Sequence, residues 1–190
     1  MAFWSNAGPE PKRQYRWYMV FGNSAVESLD GIKYALKKVD KPKAKIGSIQ
    51  HKYLNHFFNY PGRLEWEDIN ITFASVTDPD ATKLLNQVLL DSGYQLPDSG
   101  SPPGANPART ISKQGAGKAI GNSVYINQID AAGNTIEEWQ IYNPFFTSVQ
   151  FGSLDYSSEE IVEIQCTMKY DWAKLAAIRD PKDLDGQGLI

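Results

Sequence analysis

The chain has 190 residues, which is the size of one ordinary domain and is long enough to bury a hydrophobic core without disulfides. Apolar residues make up 42% of it, as in globular proteins, and the 12% of aromatic residues is an enrichment typical of strands and interfaces. The formal net charge of −3 argues against a dedicated nucleic-acid binder, because such proteins need a basic surface that neutralises phosphates.

Cysteine content and hydropathy favour a chain that stays in a reducing compartment. The single cysteine, Cys166, excludes a disulfide within the chain. The N-terminal residues contain no apolar segment typical of a signal peptide, and no later stretch reaches about 18 consecutive apolar residues. We therefore expect neither secretion by a signal peptide nor a membrane-spanning segment.

The first part of the chain predicts an arm and three strands. Residues 1–14 are rich in Gly and Pro and are expected to form an irregular N-terminal arm. Alternating apolar residues predict a strand over 15–21. A second strand is expected within 31–43, ending before Pro42, and a weaker pattern favours a third over 44–54.

The segment 57–75 combines a turn with a long alternating strand. Pro61 and Gly62 are typical turn residues and predict a reversal of the chain there. After the turn, the apolar residues change parity at Glu67 and Asp68. A strand whose side chains switch faces in this way indicates a β-bulge or a change of sheet.

One helix is expected over about residues 79–92. Asp78 is predicted to cap its first amides, Pro79 suits the first helical position, and Gly93 suits the end of the helix. Leucine and valine residues between them form an apolar stripe. The residues that follow, 95–117, are dense in Gly, Pro and Ser and predict a long loop.

Three strand patterns follow the loop, and a fourth is the most regular in the chain. The first three lie within 118–130, 134–142 and 144–156, with a hairpin turn expected at 132–134. Over 162–172 every second residue is apolar or aromatic, which predicts one long, half-buried strand.

The order of these elements predicts a mainly β fold. Strands, one capped helix, a long loop and more strands are typical of an antiparallel β-sandwich or barrel with one flanking α-helix. The predicted β domain spans 15–175, and the polar residues 176–190 are expected to form a C-terminal tail.

The residues show no set with catalytic or metal-binding spacing. His51 and His56 would face opposite sides of one strand, and nothing near Cys166 in sequence indicates an activated thiol. The Gly-rich segment 115–123 lacks a glycine and a Ser or Thr that a phosphate-binding loop requires. Acidic clusters lie on or beside strand patterns, where solvated carboxylates are more common than acid–base pairs. We therefore expect a structural or interaction protein that is not an enzyme and has no cofactor or metal.

Two segments, 52–73 and 140–175, carry a resemblance to a known family. The first joins a loop with aromatic residues to Pro-Gly-Arg, Trp-Glu-Asp and an alternating strand. The second contains an aromatic-Asn-Pro turn, then Leu-Asp-Tyr with Ser-Ser-Glu-Glu, and a strand that ends in Tyr-Asp-Trp. Over roughly residues 15–175 the sequence resembles the major tail tube protein of contractile-tailed bacteriophages. The tube proteins of type VI secretion and of phage-tail-like bacteriocins share the fold of that family.

The resemblance implies a structural virion protein whose subunits form hexameric rings. Each subunit would be a β-sandwich with a flanking helix, and four of its strands would join a continuous β-barrel around the bore. Stacked rings would make a hollow tube that conducts DNA into the host. The implied partners are further copies of the chain, the tail sheath protein, baseplate and tail terminator proteins, and, in the lumen without specific binding, the tape-measure protein and phage DNA. Assembly would take place in the cytoplasm of the host bacterium, without a membrane.

The resemblance also assigns two sets of candidate site residues. One set would contact the next ring, although its aromatic members could alternatively fill the subunit's own core; it consists of Tyr53, Phe57, Phe58, Tyr60 and Arg63. A bore that passes DNA is expected to be acidic, because carboxylates repel phosphates. The lining candidates, which could alternatively keep the outer face soluble, are Glu137, Glu138, Glu159, Glu160 and Glu163.

Other functions stay open on the sequence alone. A tube-like baseplate or tube-initiator protein, and a bacterial secretion-system tube subunit, would have the same fold. A carbohydrate-binding or receptor-binding β-module would expose Trp and Tyr for stacking on sugars. However, Trp66, Trp139 and Trp172 lie in strand patterns that indicate burial or an interface.

Overall fold

The computed structural model of the chain describes residues 11–22, 29–94 and 110–176. Within these ranges the chain forms ten strands, two α-helices and one 3₁₀-helix. The strands are β1 (Trp17–Gly22), β2 (Leu36–Val39), β3 (Lys43–Tyr53), β4 (His56–Glu67), β5 (Ile69–Ala74), β6 (Ser123–Ile129), β7 (Thr135–Tyr142), β8 (Phe145–Gln150), β9 (Glu163–Lys169) and β10 (Trp172–Leu175). The helices are α1 (Ala81–Asp91), α2 (Lys113–Ile120) and the 3₁₀-helix Leu29–Ala35.

Two antiparallel four-stranded sheets form a sandwich. Sheet A has the strand order β1-β6-β7-β10, and sheet B has the order β2-β5-β9-β8. Alternate residues of each strand point into the space between the sheets. The largest fully buried side chains on the two inner faces are Met19, Ile69, Ile71, Phe73, Ile141, Ile164 and Met168. Burial of each contributes about 1.5–3 kcal/mol. The predicted mainly β fold, with antiparallel sheets and a flanking helix, is confirmed.

The parity switch predicted near Asp68 is a change of sheet. β4 ends at Glu67 and, within the described residues, pairs only with β3, in a third, two-stranded ladder. β5 begins at Ile69 and pairs with β2 and β9 in sheet B. The side chains change parity here because the chain leaves one sheet and enters another.

The turn predicted at Pro61 and Gly62 is wrong. Both residues lie inside β4, and the chain reverses earlier, at Leu54 and Asn55. The ladder tolerates Pro61, which has no amide hydrogen to donate, because it lies beside a β-bulge. In the described part of the chain, no third strand pairs with β4 and needs that hydrogen bond. A Cβ at Gly62 would come within 3.1 Å of the Gly47 backbone, so this pair of glycines belongs to the close approach at the bulge.

The strand predicted within 31–43 is helical in its first part. Leu29–Ala35 forms the 3₁₀-helix, and only Leu36–Val39 forms β2. Ile32 and Ala35 are both buried, and residues three apart share one side of a 3₁₀-helix. Burial of this side explains why these residues form a 3₁₀-helix although their apolar pattern resembles that of a strand.

The long strand predicted over 162–172 is two strands that belong to different sheets. β9 ends at Lys169 in sheet B, whereas β10 begins at Trp172 and pairs with β7 in sheet A. At the crossing, the Asp171 amide donates to the Tyr142 carbonyl at 3.1 Å. The Trp172 ring stacks on the Tyr142 ring and stays 48% exposed, so the last member of the alternating set lies outside the core.

The predicted helix is confirmed as α1, with a different capping residue. Asp80, not Asp78, is the cap, because its carboxylate accepts a hydrogen bond from the Lys83 amide at 3.1 Å. The helix buries one apolar stripe against the core. Gly93 follows it with a φ of +112°, which agrees with its predicted place at the helix end.

The predicted loop 95–117 ends in a second helix, α2, so the prediction is wrong for residues 113–117. Residues 95–109 lie outside the described ranges, as do 1–10 of the predicted arm and 177–190 of the predicted tail. α2 is followed by Gly121 at a φ of +101°, where a Cβ would lie 1.7 Å from the Gly22 carbonyl oxygen. Only glycine fits where this helix end crosses β1.

Candidate assembly surface

The ladder of β3 and β4 forms a hairpin, residues 43–67, that we call the projecting hairpin. Its side chains are exposed along both strands except at Trp66 and Glu67, near its base. The Trp66 ring lies 6.0 Å from that of Tyr170 and joins the hairpin to the core. An isolated two-stranded hairpin is only marginally stable in water. Among the residues that the structure describes, this element therefore has no packing surface beyond its base.

All sequence-predicted inter-ring residues lie on the projecting hairpin. The exposed fraction of the four aromatic side chains is 49–63%, and Arg63 is also exposed; the aromatic residues are Tyr53, Phe57, Phe58 and Tyr60. They do not fill the core of the subunit. Clustered apolar side chains that remain in water mark an interaction surface.

The register of the ladder sorts the side chains of the hairpin into two faces, because opposite residues of an antiparallel pair share a face. Near the tip, one face carries Ile49, His51, Tyr53, His56, Phe58 and Tyr60. The other face carries Phe57 beside Lys52. The two histidines share a face because they lie on different strands, so the prediction that they face opposite sides is wrong.

The outer part of the projecting hairpin is basic. Residues 46–64, which are bounded by the cross-strand pair of Ile46 and Leu64, include Lys52 and Arg63 but no Asp or Glu. At the base, Lys43 pairs with Glu67 at 2.9 Å. Their hydrogen bond raises the pKa of Lys43 and lowers the pKa of Glu67. Charges at the base are thus compensated within the subunit, whereas acidic residues are absent from the outer part.

The five acids predicted to line a lumen do not share one surface. Glu137 and Glu138 are neighbours on β7 of sheet A and point to opposite faces. Glu163 lies on β9 of sheet B, and Glu159 and Glu160 lie in the exposed loop before it. A bore lined by a single sheet would contain only part of this set.

Glu137 is the centre of an ion cluster inside the subunit. Its side chain is 11% exposed, and one carboxylate oxygen accepts a hydrogen bond from Lys12. The other oxygen accepts from Lys41 at 2.6 Å and from the Trp139 indole at 2.7 Å. Burial raises the pKa of Glu137, but these hydrogen bonds outweigh it and lower the pKa to about 2. Because Lys41 lies in the connection between β2 and β3, the cluster fixes the base of the projecting hairpin to sheet A.

A second exposed apolar surface lies between β8 and β9, in residues 151–162, which we call the apolar loop. Leu154 is 89% exposed, and Tyr156 is fully exposed. The Asp155 carboxylate shapes the loop by accepting hydrogen bonds from the Ser157 amide and hydroxyl at 2.9 and 2.8 Å. This surface was not predicted from the sequence, although the segment contains large apolar residues among Ser, Gly and Asp.

The edges of both sheets provide a third candidate surface. β1 and β10 end sheet A, and β2 and β8 end sheet B. In the part of the chain that the structure describes, no further strand pairs with these edges. Unpaired amide and carbonyl groups on an edge strand can pair with a strand from another chain.

The described residues contain one cysteine but no cluster suited to a metal ion. Cys166 is buried, and burial raises the pKa of its thiol to about 12, so it is not poised as a nucleophile. Among residues 11–22, 29–94 and 110–176, no group of three or more His, Cys, Asp or Glu residues could hold a metal ion. No helix in these ranges is long and apolar enough to cross a membrane.

No protein-family model and no curated protein sequence matches the chain. Solved structures do match its fold. A chain in the structure of the anti-feeding prophage cap, its tube terminating cap, matches with a TM-score of 0.60 and 18% identity, over 93% of this chain and 99% of that one. A chain of the sheath–tube complex of an extracellular contractile injection system matches with a TM-score of 0.59 and 19% identity, over 88% of this chain and 93% of that one. This chain shares the fold of these two chains, which we call the injection-system fold.

The injection-system fold also occurs in a third assembly. A chain of the anti-feeding prophage baseplate matches with a TM-score of 0.61 and 11% identity, over 90% of this chain and 99% of that one. The three similar chains thus come from a cap, a sheath–tube complex and a baseplate. At these identities the comparison establishes the fold and does not choose among the three positions.

Proposed function

We propose that the chain is the major tail tube protein of a contractile-tailed bacteriophage. The observation that carries the proposal is the projecting hairpin, which is exposed on both faces, rich in apolar side chains and without acids between residues 46 and 64. Such an element is expected to gain its packing surface from another copy of the chain. The injection-system fold supports the same conclusion.

In the proposed tube, six subunits form a ring and the rings stack. Open sheet edges of neighbouring subunits would pair, so that each subunit adds one four-stranded sheet to a continuous barrel. The projecting hairpin would reach the next ring, where its aromatic side chains act as anchors and Arg63 pairs with an acid. Hairpin packing would account for stacking, and edge pairing for ring closure.

The lumen of the proposed tube conducts DNA into the host without binding it. Among the acids predicted to line it, Glu138 and Glu163 lie on half-buried strand positions, and Glu159 and Glu160 lie on the exposed apolar loop. Glu163 is paired with Lys37, which reduces its repulsion of phosphate. The luminal role is tested by replacing Glu138, which lies on sheet A, with lysine; this should slow DNA release while tubes still form, and normal release would exclude that role for Glu138.

The proposed partners follow from this position in the virion. They are the tail sheath protein on the outside of the tube, baseplate and terminator proteins at its ends, and the tape-measure protein and DNA in its lumen. The occurrence of the fold in a sheath–tube complex and in a baseplate supports the first two. Assembly would occur in the cytoplasm of the host bacterium.

The proposal is tested by imaging the purified chain with negative-stain electron microscopy over a range of concentrations. Hollow rings and long filaments with an open centre are expected. Replacing Phe57, Phe58 and Tyr60 with serine should leave rings but abolish filaments. Replacement of Tyr34, which is 86% exposed outside the hairpin, is the matched control and should leave filaments intact. Wild-type chains that never form a particle with a central channel would contradict the proposal.

A cap or baseplate component is the second candidate, because the fold also occurs in structures of a tube terminating cap and of a baseplate. It would form single rings and no long filaments, so filament length separates the two functions. A sugar-binding module is disfavoured by the placement of the tryptophans. Trp66 and Trp139 pack against the core, and Trp172 is stacked on Tyr142.

A further inference from the structure

We propose that the apolar loop of one subunit is the receptor for the projecting hairpin of another, so that copies join head to tail. The inference rests on the proposed function, because it requires a self-assembling chain. It goes beyond that function by naming the surface that receives the hairpin.

The apolar loop forms a concavity large enough for several side chains of a partner. Its volume is about 1100 Å³, above the roughly 300–1,000 Å³ of ordinary small-molecule pockets. Phe151, Leu154, Tyr156 and Ile161 contribute apolar lining. All residues that line it lie between Gln150 and Gln165, so the hairpin of the same subunit does not occupy it.

Charge decides which occupant fits. The apolar loop carries three acids, Asp155, Glu159 and Glu160, and no Lys or Arg. The hairpin has the opposite composition between the paired residues Ile46 and Leu64, with one lysine, one arginine and no acid. Complementary potentials of this kind select the correct partner surface and speed its encounter.

The same charges exclude a symmetric contact. Two apolar loops placed face to face would bring like charges together, and so would two hairpins. Each surface therefore requires the other one, and a contact between two different surfaces is heterologous. Heterologous contacts leave one free hairpin and one free loop at the ends of an assembly, and so they allow it to grow.

Two matched double variants test the inference. Lys52→Glu/Arg63→Glu makes the hairpin acidic, and Glu159→Lys/Glu160→Lys makes the loop basic while leaving the Asp155 hydrogen bonds that shape it. All four side chains are exposed, so both variants are expected to fold, which is checked by circular dichroism. Lys33→Glu/Lys83→Glu reverses two exposed lysines elsewhere and serves as the control.

Each double variant alone should assemble only at a concentration about tenfold or more above that of the wild type, because its loop and hairpin carry like charges. An equimolar mixture of the two variants should assemble again. In the mixture, the acidic hairpin of one variant meets the basic loop of the other, and the two unchanged surfaces also meet. Sedimentation velocity and negative-stain microscopy measure both effects, and the control should match the wild type.

Three results would overturn the inference while leaving the proposed function intact. They are normal assembly of the loop variant, loss of assembly in both variants without recovery in the mixture, and an equal loss in the control. Failure of the wild-type chain to self-associate would instead refute the proposed function itself. Assembly of the mixture, with neither variant assembling alone, would establish the head-to-tail contact.

Discussion

Replacing Glu137 with glutamine should destabilise the subunit by loosening the base of the projecting hairpin. The carboxylate accepts hydrogen bonds from Lys12, Lys41 and Trp139, and glutamine is neutral and offers one acceptor oxygen in place of two. The change keeps the size of the side chain, so it removes charge and leaves packing intact. Any loss of stability therefore reports the ion cluster.

The pKa of Glu137 sets an upper limit for the effect. It falls from an ordinary value of 4.5 to about 2, and each unit corresponds to about 1.4 kcal/mol, which gives about 3.4 kcal/mol. The two lysine side chains are 46% and 48% exposed, so solvent screening reduces this to about 2 kcal/mol. For a chain of this length, that loss lowers the melting temperature by about 4–8 °C.

The pH dependence has a defined sign. Because the folded pKa of Glu137 lies below the unfolded value, its contribution to stability is complete above about pH 4.5 and is lost as the pH falls through about 2. The difference in the free energy of unfolding between the wild type and Glu137→Gln should thus be largest at neutral pH and should shrink below about pH 4. Urea denaturation at a series of pH values measures it.

The matched control is Glu138→Gln. Glu138 is the next residue of β7, points to the opposite face and forms no ion pair among the described residues. It should change the free energy of unfolding by less than about 0.5 kcal/mol. Equal stabilities of the two variants, or a Glu137→Gln effect that does not change between neutral and acidic pH, would show that the ion cluster does not stabilise the subunit.

Three further predictions concern the core, a backbone crossing and a helix cap. Burial raises the pKa of Cys166 to about 12, so Ellman's reagent should modify it at least about 100-fold more slowly in the folded chain than in urea; equal rates would contradict its burial. Gly121→Ala should lower the free energy of unfolding by more than about 4 kcal/mol, because its Cβ would meet the Gly22 carbonyl. Gly133→Ala, which has open space around it, should lower it by only about 1–2 kcal/mol. Urea denaturation measures both, and the reverse order would disprove the crossing. Asp80→Ala should lower the free energy of unfolding by about 1 kcal/mol, and no change would show that the cap is unimportant.

Sequence patterns predicted those strands and helices whose buried side can be recognised from the spacing of apolar residues along the chain. The alternation in β1 and β9 identified inward-facing residues such as Met19, Ile164 and Met168, because side chains of a strand alternate whatever sheet it joins. The apolar stripe and the final glycine located α1 for a similar reason. The same patterns do not show where a strand leaves its sheet, and so β9 and β10 were predicted as a single strand.

Patterns in the sequence also located the aromatic segment of the projecting hairpin, but not its environment. A run such as Tyr53 to Tyr60 has the same alternation whether it packs in a core or projects into solvent. The outcome depends on whether a third strand or a second sheet covers the hairpin. The fold supplies neither within the described residues, so the aromatic side chains remain available to another chain.

Hydrophobic alternation and helix capping were enough to predict a mainly β fold with a capped helix, because both act over a few residues. The role of Glu137 depends instead on contacts that form when distant segments fold together. Its lysine partners lie 125 and 96 residues away, and their approach depends on how the β2–β3 connection crosses sheet A. Likewise, the basic hairpin and the acidic apolar loop became a pair of complementary surfaces only when folding left both of them uncovered.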